Sequence, residues 1–196
     1  MISIAEKLGH ERFHLYGHSA GAQFGNRFGV RHPSRLLSLV LSAPGRVAFP
    51  NPDLKWPYGS RRISFGNKWE NPTQIVPVEV NPDPEGWENL VNGVPIHIVV
   101  GAQDTAPQPG GRGYPANSTR IAVGQLWAGQ MNELAAPGKP AIVVEVVPSV
   151  KHDSRRLTPH AQRFFKQVVH SFRLAAPCHD LSASGNIKLK GAIGAR

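Results

Sequence analysis

The chain has 196 residues, 40% of them hydrophobic and 18% charged, with a formal net charge of +9. That length suits one domain with a real core and is short for two. No apolar run reaches the ~18 residues of a membrane-crossing helix, and the lone cysteine, Cys178, has no partner in the chain for a disulfide. The basic residues are scattered, as single positions or as the pairs Arg61-Arg62 and Arg155-Arg156. Without a run of five or more, or a nucleic-acid motif, they read as a solvated basic surface that favours anionic partners non-specifically. The first residues, MISIAEKLGHERF, lack the apolar core of a secretory signal, so a cytoplasmic location is expected.

In chain order, residues 3–8 read as the last turns of a helix ending near Gly9. Residues 12–17 read as a strand. A helix over 20–31 follows, with Ala20, Phe24 and Phe28 four apart on one face and Pro33 to end it. The near-continuous apolar run Leu36–Ser42 has the character of a strand buried on both sides of a parallel sheet. Residues 44–95 change character. They are proline-rich, weakly periodic, and carry Trp56, Trp69 and Trp87, with a short helix over 84–91. A loop-rich insertion of this length suggests a lid, whose tryptophans either line an apolar pocket or pack among themselves.

Regular structure resumes with a strand at 96–101 and a Pro/Gly loop over 105–116. Next comes a helix over 119–135, capped by Ser118, with Val123, Trp127, Met131 and Leu134 on one face. A strand spans 141–147. Thr158-Pro159 has the pattern of a helix start, followed by the apolar stripe Ala161, Phe164, Phe165, Val168, Val169 and Phe172. Residues 176–196 are polar, glycine-rich and aperiodic, which predicts a disordered tail beyond a domain over 1–175. Strands alternating with helices give an α/β fold with a mostly parallel sheet of about four strands flanked by helices.

One pentapeptide carries chemistry. Gly17-His18-Ser19-Ala20-Gly21 fits G-x-S-x-G, a weak pattern alone, but here it follows a strand and opens a helix. A sharp turn there lifts the serine hydroxyl out of the C-terminal edge of the sheet. The two glycines fit a turn too tight for Cβ atoms. The helix N-terminus offers free N–H groups to a developing oxyanion, Ala20 the nearest. A serine needs a base, and the base an orienting acid. Asp104 comes just after the strand 96–101, and His152 just after the strand 141–147. Both leave from the strand ends where α/β sheets bind ligands. Asp53 is a substitute acid, after the strand 36–42. His18 adjoins Ser19 with its side chain expected to point elsewhere, and His97, His160 and His170 read as structural. No Cys/His cluster, HExxH spacing or phosphate loop suggests a metal or cofactor.

The order Ser19, Asp104, His152 in "GHSAG", "VVGAQDT" and "VKHDS" resembles that of the α/β-hydrolase-fold enzymes over roughly residues 3–174. The resemblance implies a serine hydrolase, esterase- or lipase-like, with Ser19 as nucleophile, His152 as general base and then acid, Asp104 as orienting carboxylate and Ala20 N–H as an oxyanion donor. A small-molecule carboxylic ester would be the substrate, water the second nucleophile, and no cofactor would be needed. The chain departs from the family in having Val150-Lys151, not a glycine, before its histidine. It also lacks strands that the family places before the elbow. Three readings follow: a truncated, weakly active copy; a compact enzyme completed by a second copy or partner across the open edge of the strand 12–17; or a non-catalytic remnant serving as a binding module.

Overall fold

Four segments of the sequence alternate or run apolar for five to seven residues, and these four form the sheet. The computed structural model describes residues 2–67, 76–80 and 85–175. Its elements are α1 (Ile2–Lys7), β1 (Phe13–His18), α2 (Ala20–Arg31), β2 (Leu36–Ser42), β3 (Ile63–Asn67), β4 (Val76–Val80), α3 (Gly86–Gly93), β5 (Ile96–Gly101), α4 (Arg120–Glu133), β6 (Val143–Val147) and α5 (Ser154–Ala175). The main sheet is parallel, in the order β1-β2-β5-β6. Each parallel neighbour requires a crossover, and helices supply them.

Alternation along the strands feeds two cores. Leu15, Leu39, Leu41, Ile98 and Val100 pack against α2, α3 and α4. Val40, Val99 and Val147 face α5 through Leu157 and Ala161. β2 is therefore buried on both faces, as its unbroken apolar run predicts. β1 lies at one edge of the sheet and β6 at the other.

Four local expectations are corrected. The buried residues of α2 are Ala22, Gly25, Asn26, Phe28, Gly29 and Val30, so Phe28 of the expected stripe joins the core while Ala20 and Phe24 are exposed. Small residues mark the contact because the helix lies close against β2: a Cβ on Gly29 would stand 3.2 Å from both Leu39 and Leu90. The cap of α4 is Thr119, whose side chain accepts from the Ala122 N–H, not Ser118. α5 begins four residues before Thr158. Asp153 accepts there from the N–H groups of Arg155 and Arg156, and the Thr158 hydroxyl turns back to the Ser154 carbonyl. Finally, β3 and β4 form an antiparallel pair inside a stretch whose weak periodicity predicts loops.

Much of the stretch after β2 is core. Val47, Ala48 and Phe49 are buried. The backbone of Ala48 is pinned by three buried side chains: the Asn26 carbonyl accepts its N–H at 2.6 Å, and Trp87 and Trp127 donate to its C=O. Trp87 thus packs inside the domain, and Trp56 packs partly against the same core. Trp69 and the tail 176–196 lie outside the described residues. Among the described residues, no helix is long and apolar enough to cross a membrane.

Candidate active site

Ser19 sits in the one-residue turn between β1 and α2 with φ 54° and ψ −113°. A non-glycine residue at positive φ stores about 1–3 kcal/mol of strain and persists only where its surroundings fix it. Here they do. The Ser19 N–H donates to the Ser42 carbonyl at the end of β2, and a Cβ on Gly17 would overlap the Gly21 carbonyl oxygen. Gly17 is therefore required by sterics. Gly21 is not, because a Cβ there would meet open space. Ala20, exposed, is the first residue of α2, so its N–H belongs to the first turn and lacks a carbonyl four residues back.

Asp104 and His152 are 48 residues apart and meet because their loops are joined. The Ala102 N–H donates to the Val147 carbonyl and the Gln103 N–H to the Val150 carbonyl. Asp104 is buried, and its Oδ2 lies 2.7 Å from His152 Nδ1. Its other oxygen, Oδ1, accepts from Arg120 Nη1 at 2.6 Å. Both carboxylate oxygens are thus engaged, which fixes the plane of the group and the orientation of the imidazole. His152 is about one-third exposed and opens to solvent.

Two further residues belong to this site. Arg120, at the start of α4, has no motif to announce it. His18 is the correction: its ring does not point away but lies 4.7 Å, centroid to centroid, from that of His152, with Nδ1 3.0 Å from Ser42 Oγ. Burial, then the charge of His152, hold His18 below the ordinary histidine value. This contact places the histidine after β6 beside the residue preceding Ser19. Asp53, the substitute acid, is exposed on the loop after β2 and makes no contact with His152. His97 and His160 instead share Glu145, and His170 is exposed on α5. A cavity of about 370 Å³ lined by Val94, Ile96, His97, Ile142 and Phe164 lies at the start of β5 and β6, the opposite end of the sheet from Ser19.

This elbow, at the end of a parallel strand, agrees with the comparisons. A family model described as the α/β hydrolase fold matches residues 3–138. No curated protein matches the chain. Among solved structures, the chain is similar to poly(aspartic acid) hydrolase-1 from Sphingomonas sp. KT-1, with 23% identity and a TM-score of 0.57, covering 82% of this chain and 58% of that one. It is also similar to a poly(3-hydroxybutyrate) depolymerase from Bordetella parapertussis, with 23% identity and a TM-score of 0.58, covering 89% and 57%. The chain thus spans less than two thirds of these neighbours. With the sheet order, the elbow and the family match in agreement, the chain belongs to the α/β-hydrolase fold family.

Proposed function

We propose that the chain is a serine hydrolase acting on carboxylic esters, with Ser19 as nucleophile, His152 as base and Asp104 as orienting acid. The reading rests above all on the 2.7 Å contact between Asp104 and His152, made beside a strained serine elbow. Asp104 accepts the Nδ1 proton of His152, which leaves Nε2 as the basic nitrogen. His152 takes the Ser19 proton as Oγ bonds to the ester carbonyl carbon. The resulting oxyanion accepts from the Ala20 N–H. Collapse breaks the C–O bond to the alcohol, which leaves with the proton from His152. Water then attacks the acyl-enzyme by the same steps and releases the acid and free Ser19. Carboxylic-ester chemistry fits the depolymerase neighbour, whose named substrate is a polyester.

Labelling with a fluorophosphonate, read by peptide mass spectrometry on folded protein, tests the assignment. Modification confined to Ser19 is expected. A folded chain that stays unlabelled refutes an activated serine and favours the other reading, a hydrolase-fold binding module. The open edge of β1 also supports self-association, since unpaired strand edges recruit a further strand. The rings of Phe13, Phe28 and Phe24 line up beside that edge, and Phe24 is exposed. Light scattering at micromolar concentration should show a dimer or larger species, and a clean monomer counts against it.

A further inference from the structure

Three arginines converge where the loop after β2 meets the loop after β5. Arg27 of α2 donates to three backbone carbonyls, those of Pro57, Gln23 and Arg46. Its guanidinium carbon lies 5.6 Å from the centroid of the Tyr58 ring, and that of Arg112 lies 4.9 Å from the same ring. Arg46 is brought to the same place by its backbone, whose carbonyl accepts from Arg27 Nη2 at 3.0 Å. Among the described residues, none of the three arginines has a carboxylate within ion-pair distance. Glu6, Asp104 and Glu145 make their ion pairs with other partners.

Such a cluster is costly when empty. Like charges repel, and burial penalises the Arg27 cation further, holding it below the ordinary arginine value. An anion bound among them relieves both costs. Planar guanidinium groups, held in place by carbonyls and by a tyrosine face, suit a carboxylate in particular.

The cluster also adjoins the proposed active site. Gln23, whose carbonyl receives Arg27, lies one turn along α2 from Ser19. Arg46 is four residues past Ser42, the acceptor for the Ser19 N–H. Gly45, just before Arg46, is tightly held: the Tyr114 hydroxyl donates to its carbonyl, and a Cβ on it would stand 3.4 Å from Arg120 Nε. Arg120 in turn holds Asp104.

We propose that Arg46 and Arg112 bind a carboxylate on the acyl part of the substrate, making the site selective for half-esters of dicarboxylic acids. Arg27 and Tyr58 form the platform beneath them. This rests on Ser19 being the nucleophile, so the test carries an arm that does not need turnover.

In the first arm, kcat/KM is measured for mono-4-nitrophenyl adipate and for 4-nitrophenyl 6-methylheptanoate, an isosteric neutral ester. The anionic ester should be preferred tenfold or more at low salt, and 0.5 M NaCl should shrink the ratio by screening. The Arg46→Gln/Arg112→Gln double variant should lose most of that ratio, and Arg46→Lys should keep part of it. A ratio at or below one, or one unchanged in the double variant, overturns the proposal. In the second arm, monoethyl adipate is titrated calorimetrically into Ser19→Ala protein with and without the two glutamines. Binding weakened tenfold or more by the glutamines supports the site even if Ser19 proves inert. Absent or equal binding overturns it, whatever Ser19 does.

Discussion

Two carboxylates in this chain each hold histidine and arginine at once, and they differ in where the fold puts them. Asp104 stands just past the end of β5, buried, with one oxygen on His152 and the other on Arg120. Glu145 stands in the middle of β6. Its Oε2 meets His97 Nε2 at 2.9 Å, and its Oε1 meets His160 Nδ1 at 2.6 Å and Arg163 Nη2 at 2.5 Å. By composition the second cluster is the richer. Yet it ties β5, β6 and α5 together along their lengths, with His97 stacked on Phe164, and no elbow adjoins it. A hydrogen-bonded histidine–carboxylate pair is therefore not by itself a site. The two differ in position: Asp104 and His152 lie at the C-terminal end of the strands, beside a serine held at positive φ, and that difference is the ground for proposing the first as the active site.

Breaking each cluster in turn tests that contrast. The largest effect belongs to the first. On the proposed assignment, Ser19→Ala and His152→Ala should each lower ester kcat by about 10³-fold or more, since members of a triad act as a unit. Unfolding curves for Ser19→Ala should match or exceed the parent, because the substitution removes no hydrogen bond and leaves the turn in place. Glu145→Gln should leave kcat/KM within about twofold on the same esters, because Glu145 bonds His97, His160 and Arg163 along the sheet and α5. Equal losses from the two clusters would erase the distinction drawn here.

Arg120→Leu comes next. It removes one of the two partners of a carboxylate that is almost wholly buried, the cationic one, and breaking a buried ion pair from one side costs about 3 kcal/mol in stability. The same change frees the Asp104 carboxylate to rotate away from His152. Urea denaturation should show the midpoint shift, and kcat/KM should fall by about tenfold, a drop of about 1.4 kcal/mol in transition-state stabilisation. A variant as stable as the parent would mean that Asp104 is held by its loop backbone alone.

The sheet and the strand-to-helix turn at Ser19 could be read in the sequence because both obey short rules. Leu36–Ser42 is too continuously apolar to be anything but a doubly buried strand, and G-x-S-x-G between a strand and a helix places Ser19. Order along the chain then singles out Asp104 and His152. Four features escaped for physical reasons. Arg120 serves the site through a tertiary contact with a residue 16 positions away, and nothing local marks it. His18 would point away if β1 were an ideal strand, but in the fold its ring lies beside that of His152. The inner face of α2 includes Gly25 and Gly29, so a search for large apolar residues finds the buried Phe28 but also selects Phe24, which is exposed, and passes over the glycines. Ala48 is fixed by side chains from three helices, which makes core of a stretch whose prolines suggest a lid.

The smallest expected effect is also the most specific to the second cluster. Glu145→Gln keeps the shape of the side chain and removes its charge, at a cost of about 1–2 kcal/mol from weakened hydrogen bonds. The size of that cost should depend on pH. Burial holds His97 below the ordinary histidine value of 6.5, while its hydrogen bond to Glu145 works the other way. Burial pushes the Glu145 carboxyl up, but hydrogen bonds from His160, His97 and Arg163 outweigh it and leave the group below its ordinary 4.5. Both groups therefore bind fewer protons folded than unfolded, and each contributes stability that is lost as pH falls. For His97 the loss begins as pH drops through 6.5, and for Glu145 as it drops below 4.5. In the parent, the Glu145 charge eases the first loss by favouring protonated His97. In the glutamine variant it does not. The stability gap between the two proteins should accordingly widen from pH 7 to pH 5 and close again in stronger acid, where Glu145 itself is protonated. Denaturation midpoints across that range measure it. A gap independent of pH would show that Glu145 holds α5 by geometry alone, with no electrostatic coupling to His97.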